Sequence, residues 1–165
     1  GKGGARAVRA LPVRVVCVAK SGAPALESLA ADYASKIQRY CQFHEVLVKP
    51  NPKNSRNPTE QRVAEAERAV KGVTPREKLV ILDERGREVS SEQLADIVAS
   101  AGDEGYGALV FAIGGPFGHG PAIKERADDS IRLSKMVLNH QIARLVLLEQ
   151  IYRAWTILRG EPYHH

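Results

Sequence analysis

The chain has 165 residues, 44% of them hydrophobic, with two cysteines and a formal net charge of +5. That is enough for one domain with its own core. It is too few cysteines to depend on disulfide staples, so Cys17 and Cys41 are expected as free thiols. No apolar run approaches the ~20 residues of a membrane span, and no signal-peptide h-region precedes the first expected strand.

The charge is unevenly placed. Lys2, Arg6, Arg9 and Arg14 stand in an acid-free opening, GKGGARAVRALPVR, and the remaining 20 bases against 19 acids leave a body of about +1. A net charge of +5 resembles a nucleic-acid signature until it is located, since the body itself is nearly neutral. Residues 79–130 carry ten acids and four bases, and 131–165 five bases, two acids and three histidines. Such polarity can steer an anionic partner or form a solvated face. The Arg-rich opening fits the end of an organelle transit peptide or the boundary of an expressed fragment. Residues 1–11 are therefore set apart from a single domain over 12–165, and the compartment is expected to be a chloroplast or other organelle, otherwise the cytoplasm.

In chain order, VRVVCVA (13–19) reads as a buried strand. Pro24 suits the first turn of a helix running to about Tyr40, and FHEVLVK (43–49) as a second strand. PNPKNSRNP (50–58), with three prolines and three asparagines, is an exposed, mobile loop, either a substrate clamp or a plain connection. Thr59 is placed to cap a helix from Glu60 to Lys71 that stops at Gly72. KLVILD (78–83) is a third strand and ERGRE a turn. Ser90 and Gln93 stand at capping-box spacing before a helix ending at Gly102. ALVFAI (108–113) is a fourth, fully buried strand. Pro121 opens a short helix, a short strand follows near 131–138, and a long helix spans Asn139 to Arg159. Strands alternating with helices predict an α/β domain with a mainly parallel sheet and helices on both faces.

The last helix has apolar residues beyond one sheet-facing stripe. Ile142, Leu145, Val146 and Tyr152 lie on one side, and Leu147, Ile151, Ala154 and Leu158 on another. A second apolar face predicts a homodimer built partly on this helix. Trp155 is assigned to packing or to that interface.

FAIGGPFGHG (111–120) follows a strand, where parallel sheets hold ligands. It lacks the Lys-Ser/Thr of a phosphate loop and the spacing of a dinucleotide fingerprint. It is either a tight strand-to-helix turn or a backbone that something approaches closely.

Taken in order, VILD, IGGPFG, the L-S-x-x-x-L-x-H segment from Leu133 to His140, the YRAW of the last helix and a terminal P-Y-H resemble the RlmH (YbeA-like) family of SPOUT methyltransferases. The resemblance runs from about Val13 to His165. It implies a SPOUT-type α/β fold with a trefoil knot near the C-terminus, working as a dimer without metal or membrane. It implies transfer of a methyl group from S-adenosylmethionine to N3 of a pseudouridine in large-subunit ribosomal RNA, on assembled ribosomes. Residues expected at the cofactor are Leu82, Gly114, Leu133, Ser134, Lys135, Met136, Val137 and Leu138. Backbone groups can read an adenine edge while the leucines sandwich its ring.

Methyl transfer from a sulfonium is largely a matter of positioning, but the N3 proton must leave or the developing anion must be stabilised. The candidates are His140, Arg153, Tyr163 and His164. His140 either serves the reaction or bonds local backbone as a first-turn residue. Arg153 either binds the substrate or pairs with Glu149 four residues earlier. Tyr163 and His164, in a tail that would otherwise fray, are expected to dock, the partner subunit's active site being one destination. Lys135 faces RNA or solvent. Family members carry Arg or Lys after P-Y-H, where this chain has His165. The rival functions are methylation of another RNA, such as transfer RNA, and a non-enzymatic RNA-binding or ribosome-assembly role.

Overall fold

The computed structural model describes residues 7–163. It contains β1 (Val13–Val18), α1 (Pro24–Gln38), β2 (Phe43–Val48), α2 (Pro58–Val70), β3 (Glu77–Glu88), α3 (Ser91–Asp103), β4 (Ala108–Ile113), α4 (Pro121–Arg126), β5 (Asp129–Arg132) and α5 (His140–Arg159). The strands form one sheet in the order β2-β1-β4-β3-β5, with every ladder parallel. The expected α/β class is therefore observed. Among the described residues no helix is long and apolar enough to cross a membrane.

Period-two alternation sorts the strand side chains between two cores. Val13, Val15, Cys17, Leu109 and Phe111 meet α1, α3 and α5 on one face, while Val16, Val18, Val110, Leu79 and Ile81 meet α2 and α4 on the other. Helices cover both faces, which is why the central strands read as unbroken apolar runs. Cys17 and Cys41 are free and buried. Burial pushes their thiols up, to about 12 and about 11, so neither is a nucleophile at neutral pH.

The local signals mostly act where expected. Pro24 begins α1, and Ser90 and Gln93 form the full capping box of α3. Gly160 closes α5 at φ 63°. Four boundaries differ. Asn57, not Thr59, caps α2, its carboxamide oxygen accepting from the N–H of Thr59 at 2.9 Å and of Glu60 at 3.3 Å. Pro58, having no N–H to satisfy, suits the first helical position and starts the helix two residues early. The ERGRE segment continues β3 after a register break between Leu82 and Arg87, held by Arg87 on Asp129 at 2.8 Å. β5 ends at Arg132, so most of the expected 131–138 strand is a loop, in which the Ser134 hydroxyl accepts the Met136 N–H at 3.0 Å. Leu11, set apart with the basic opening, is buried in the first core. Residues 1–6 of that opening lie outside the described residues.

The two stripes of α5 also need one correction. Tyr152 is fully buried beside Leu148 and Trp155, and Trp155 packs within its own chain, stacked on Tyr40 at 5.8 Å. On the remaining stripe Ile142 is 46% exposed, while Leu145 and Val146 are half-buried and Leu145 packs against the first core. Near its start α5 is pinned by Arg144, whose buried guanidinium meets Glu45 of β2 at 2.6 Å and Glu27 of α1 at 2.8 Å.

Candidate functional site

Because all strands run the same way, the connections after β1, β2, β4 and β5 gather at one edge of the sheet. A cleft of about 980 Å³ opens there, between the glycine loop after β4, the irregular part of β3 and the loop after β5. Its size falls in the range of small-molecule sites, roughly 300–1,000 Å³.

The glycine stretch folds back on itself. Gly115 and Gly118 form an isolated antiparallel bridge, the Gly118 N–H donates to the Gly115 carbonyl at 3.0 Å, and Gly118 has φ 80°. A Cβ on Gly114 would lie 2.9 Å from the Gly118 carbonyl carbon. Glycine is thus required first for the chain's own tight turn. The same turn presents bare backbone from Gly114 to Gly118 to the cleft. Both sequence readings of this stretch describe part of it.

Leu82, Gly114, Leu133, Ser134, Met136, Val137 and Leu138 all line the cleft, and so does His140. Lys135 alone of the eight expected cofactor residues is not among the lining residues; it points to the exposed surface. Met136 and Val137 are 75% and 79% exposed, an apolar lip that a flat ring would cover. His140, the first residue of α5, is half-buried, and its imidazole has no hydrogen-bond partner among the described residues. The expected alternative, a bond to local backbone, is not formed: the Asn139 side chain caps the helix instead, accepting the Gln141 N–H at 2.9 Å.

Arg153 and Tyr163 stand elsewhere. They lie more than three helical turns beyond His140, about 20 Å along the axis, and do not line the cleft. Arg153 pairs with Glu149 at 3.1 Å, as helical spacing allowed, and lies 3.9 Å over the Tyr163 ring. The Tyr163 hydroxyl donates to the same Glu149 carboxylate at 3.1 Å. Burial, then the Glu149 carboxylate, pushes the Tyr163 phenol well above its ordinary range, so it stays protonated and is a donor rather than a base. His164 and His165 lie outside the described residues.

Several cleft residues carried no signal in the sequence. Arg62 reaches it from α2, Arg132 from the end of β5, and Asp83 and Lys124 face each other at 3.9 Å. His119, inside the glycine stretch, is a buried wall residue whose Nε2 has no hydrogen-bond partner, and burial lowers its pKa. The Arg132 Nε is also buried without a partner. Apolar side chains at one end, bare backbone opposite and an unmatched guanidinium N–H fit a ligand that combines a flat heterocycle with polar and carboxylate groups.

A family model described as "Predicted SPOUT methyltransferase" matches residues 11–164. An Arabidopsis thaliana protein bearing an RNA methyltransferase name is 46% identical over 97% of this chain and 83% of its own length. The ribosomal RNA large subunit methyltransferase H of Christiangramia forsetii is 39% identical over 94% of this chain and 99% of its own. Among solved structures, one titled as that of a hypothetical protein matches with TM-score 0.53 and 16% identity, over 92% of this chain and 84% of that one. A "probable methylase family protein" of Haemophilus influenzae matches with TM-score 0.50 and 16% identity, over 88% of this chain and 66% of that one. These structural likenesses concern the fold alone.

Proposed function

The chain belongs to the RlmH family of SPOUT methyltransferases, RNA-modifying enzymes that draw their methyl group from S-adenosylmethionine, and we propose that it methylates N3 of a pseudouridine in large-subunit ribosomal RNA on the assembled ribosome. The observation that supports this most is the convergence of Leu82, Gly114, the 133–138 loop and His140 on one cleft at the carboxyl edge of the sheet. The homodimer and the C-terminal trefoil knot belong to the same proposal.

S-adenosylmethionine supplies an electrophilic methyl group on its sulfonium. The residues present suit it: Leu82, Leu133 and Leu138 would hold the adenine, the 114–118 backbone would meet its polar edge, and Arg132 would meet the carboxylate. His140, free of other bonds at the cleft mouth, is the chain's own candidate to take or hold the N3 proton of the substrate. Arg153 and Tyr163 are held together by Glu149 but lie far from their own cleft, so in this reading they act at the cleft of a second copy. The exposed Ile142 with half-buried Leu145 and Val146 on the same stripe of α5 supports such a pairing.

The test is methyl incorporation from labelled S-adenosylmethionine into unmodified ribosomes, isolated large subunits, naked rRNA and bulk transfer RNA side by side. Label on ribosomes alone, located at N3 of a pseudouridine, is the expected result. Label on transfer RNA would assign the chain another substrate, and no label with no cofactor binding would leave a non-enzymatic RNA-binding role.

A further inference from the structure

We propose that the connection between β2 and α2 is a ledge for RNA backbone phosphates, fixed beside the glycine loop; the proposal rests on the reading of the cleft as an RNA methyltransferase site. From Lys49 to Thr59 the chain carries Lys49, Lys53 and Arg56 and no acid. All three are exposed, and none has an ion-pair partner among the described residues. Lys124, by contrast, is matched by Asp83. Glu60, the first acid after the three in sequence, accepts the Ser55 hydroxyl at 2.5 Å rather than pairing with any of the three cations, which leaves them available to an anion from outside.

The backbone that carries those charges is internally hydrogen-bonded. The Asn51 side chain closes on Ser55 in both directions, donating to its carbonyl and accepting its N–H, each at 2.8 Å. Gln61 donates to the same carbonyl at 2.7 Å. Asn51 and Asn54 take left-handed φ values of 48° and 51°, a conformation asparagine adopts more readily than most residues. The exposed loop expected from the sequence thus carries its own hydrogen-bonded backbone.

Its position relative to the cleft is also set. The Asn51 N–H donates at 2.7 Å to Glu65, a buried carboxylate on α2. The other oxygen of Glu65 has no hydrogen-bond partner and lies where a Cβ on Gly115 would come within 3.1 Å. Glu65 is thus bonded to the loop on one side and lies against the glycine turn on the other. Arg62, one turn before Glu65, lines the cleft itself, so cations lead from the ledge to the site. Phosphate contacts of this kind set register without reading sequence. Three charges fall short of the roughly four to eight that hold a membrane surface, but they suit a substrate whose shape supplies the rest of the recognition.

The experiment is steady-state methyl transfer to unmodified ribosomes across a KCl series, comparing wild type with the Lys53→Gln/Arg56→Gln double variant. The expected KM rises roughly 3- to 10-fold, and the salt slope of kcat/KM falls by about 1 to 2. Values of kcat, S-adenosylmethionine affinity and Tm should stay unchanged. A charge-keeping Lys53→Arg/Arg56→Lys variant should restore KM. Wild-type KM and slope in the neutral double variant would overturn the ledge. A raised KM with an unchanged slope would mean that the loop meets a ribosomal protein instead, and would overturn it equally. A wild type that methylates no RNA would bring down the reading of the cleft, and the ledge with it.

Discussion

His119 in the cleft wall and Arg144 on α5 are both buried basic groups, and burial disfavours the charge of each, yet their net shifts are opposite. Arg144 has Glu45 and Glu27 at hydrogen-bond distance, which hold its charge against burial, and removing it would leave two half-buried carboxylates unmatched. For His119 the loss of hydration outweighs the pull of Asp83, and its pKa falls. The unfolded imidazole takes its proton near pH 6.5, so below that the unfolded chain binds more protons than the folded one. This contribution is complete above about pH 6.5 and is lost as the pH falls further. Glu27, held low first by its bond from Arg144, and Glu77, held low first by Arg14, act in the same direction further down. Their contribution is present above about pH 4.3 and is lost as pH falls through the folded values. Thermal melts across a pH series should therefore fall in two steps on acidification. His119→Leu should remove the upper step and leave the lower, and a wild-type Tm that is flat from pH 7 to 5 would contradict the assignment.

Among the elements, α2 gives the sharpest discrimination. Asn57→Ala should cost about 1 kcal/mol, whereas Thr59→Ala, at an exposed site with no cap to lose, should stay within about 0.5 kcal/mol. Urea unfolding of the two variants measures the difference, and the reverse order would return the cap to Thr59. The capping box of α3, Pro24 and Gly160 were readable because each acts on its own few residues. The 133–139 loop was not. LSKMVL has the composition of a strand, but after Arg132 it turns through Ser134 and leaves Met136 and Val137 in solvent. Its role came from motif resemblance, not from periodicity. The break in β3 was half legible: ERGRE marked an interruption, but the ion pair that resumes the strand joins residues 42 positions apart.

For the molecule as a whole, α5 carries the prediction. Its inner residues complete the core against α1 and α3, while Ile142 stands exposed and Leu145 and Val146 are only half-buried. If a second copy covers them, Ile142→Glu should shift the protein from dimer to monomer in sedimentation velocity. Methyl transfer should fall by at least tenfold with Tm of the monomer nearly kept. A variant that stays dimeric, or a wild type that sediments as a monomer, would refute the pairing. Arg153 and Tyr163 give the same issue a functional side, since their distance from His140 leaves them no role at their own cleft.

The amino-acid order by itself determined the α/β alternation, the central strands, most caps and the glycine turn, since these rest on side-chain period and on contacts a few residues apart. Through its motifs it also pointed to the family and to residues that line the cleft. Only the tertiary structure decided that His140 joins the cleft while Arg153 and Tyr163 do not, that Arg62, His119 and Arg132 belong to its walls, and that Glu65, bonded to a basic loop, lies against the glycine turn. Each of these depends on strand order and on which helix covers which face. Such contacts join residues far apart in the chain, and nothing in their local sequence encodes the distance between them.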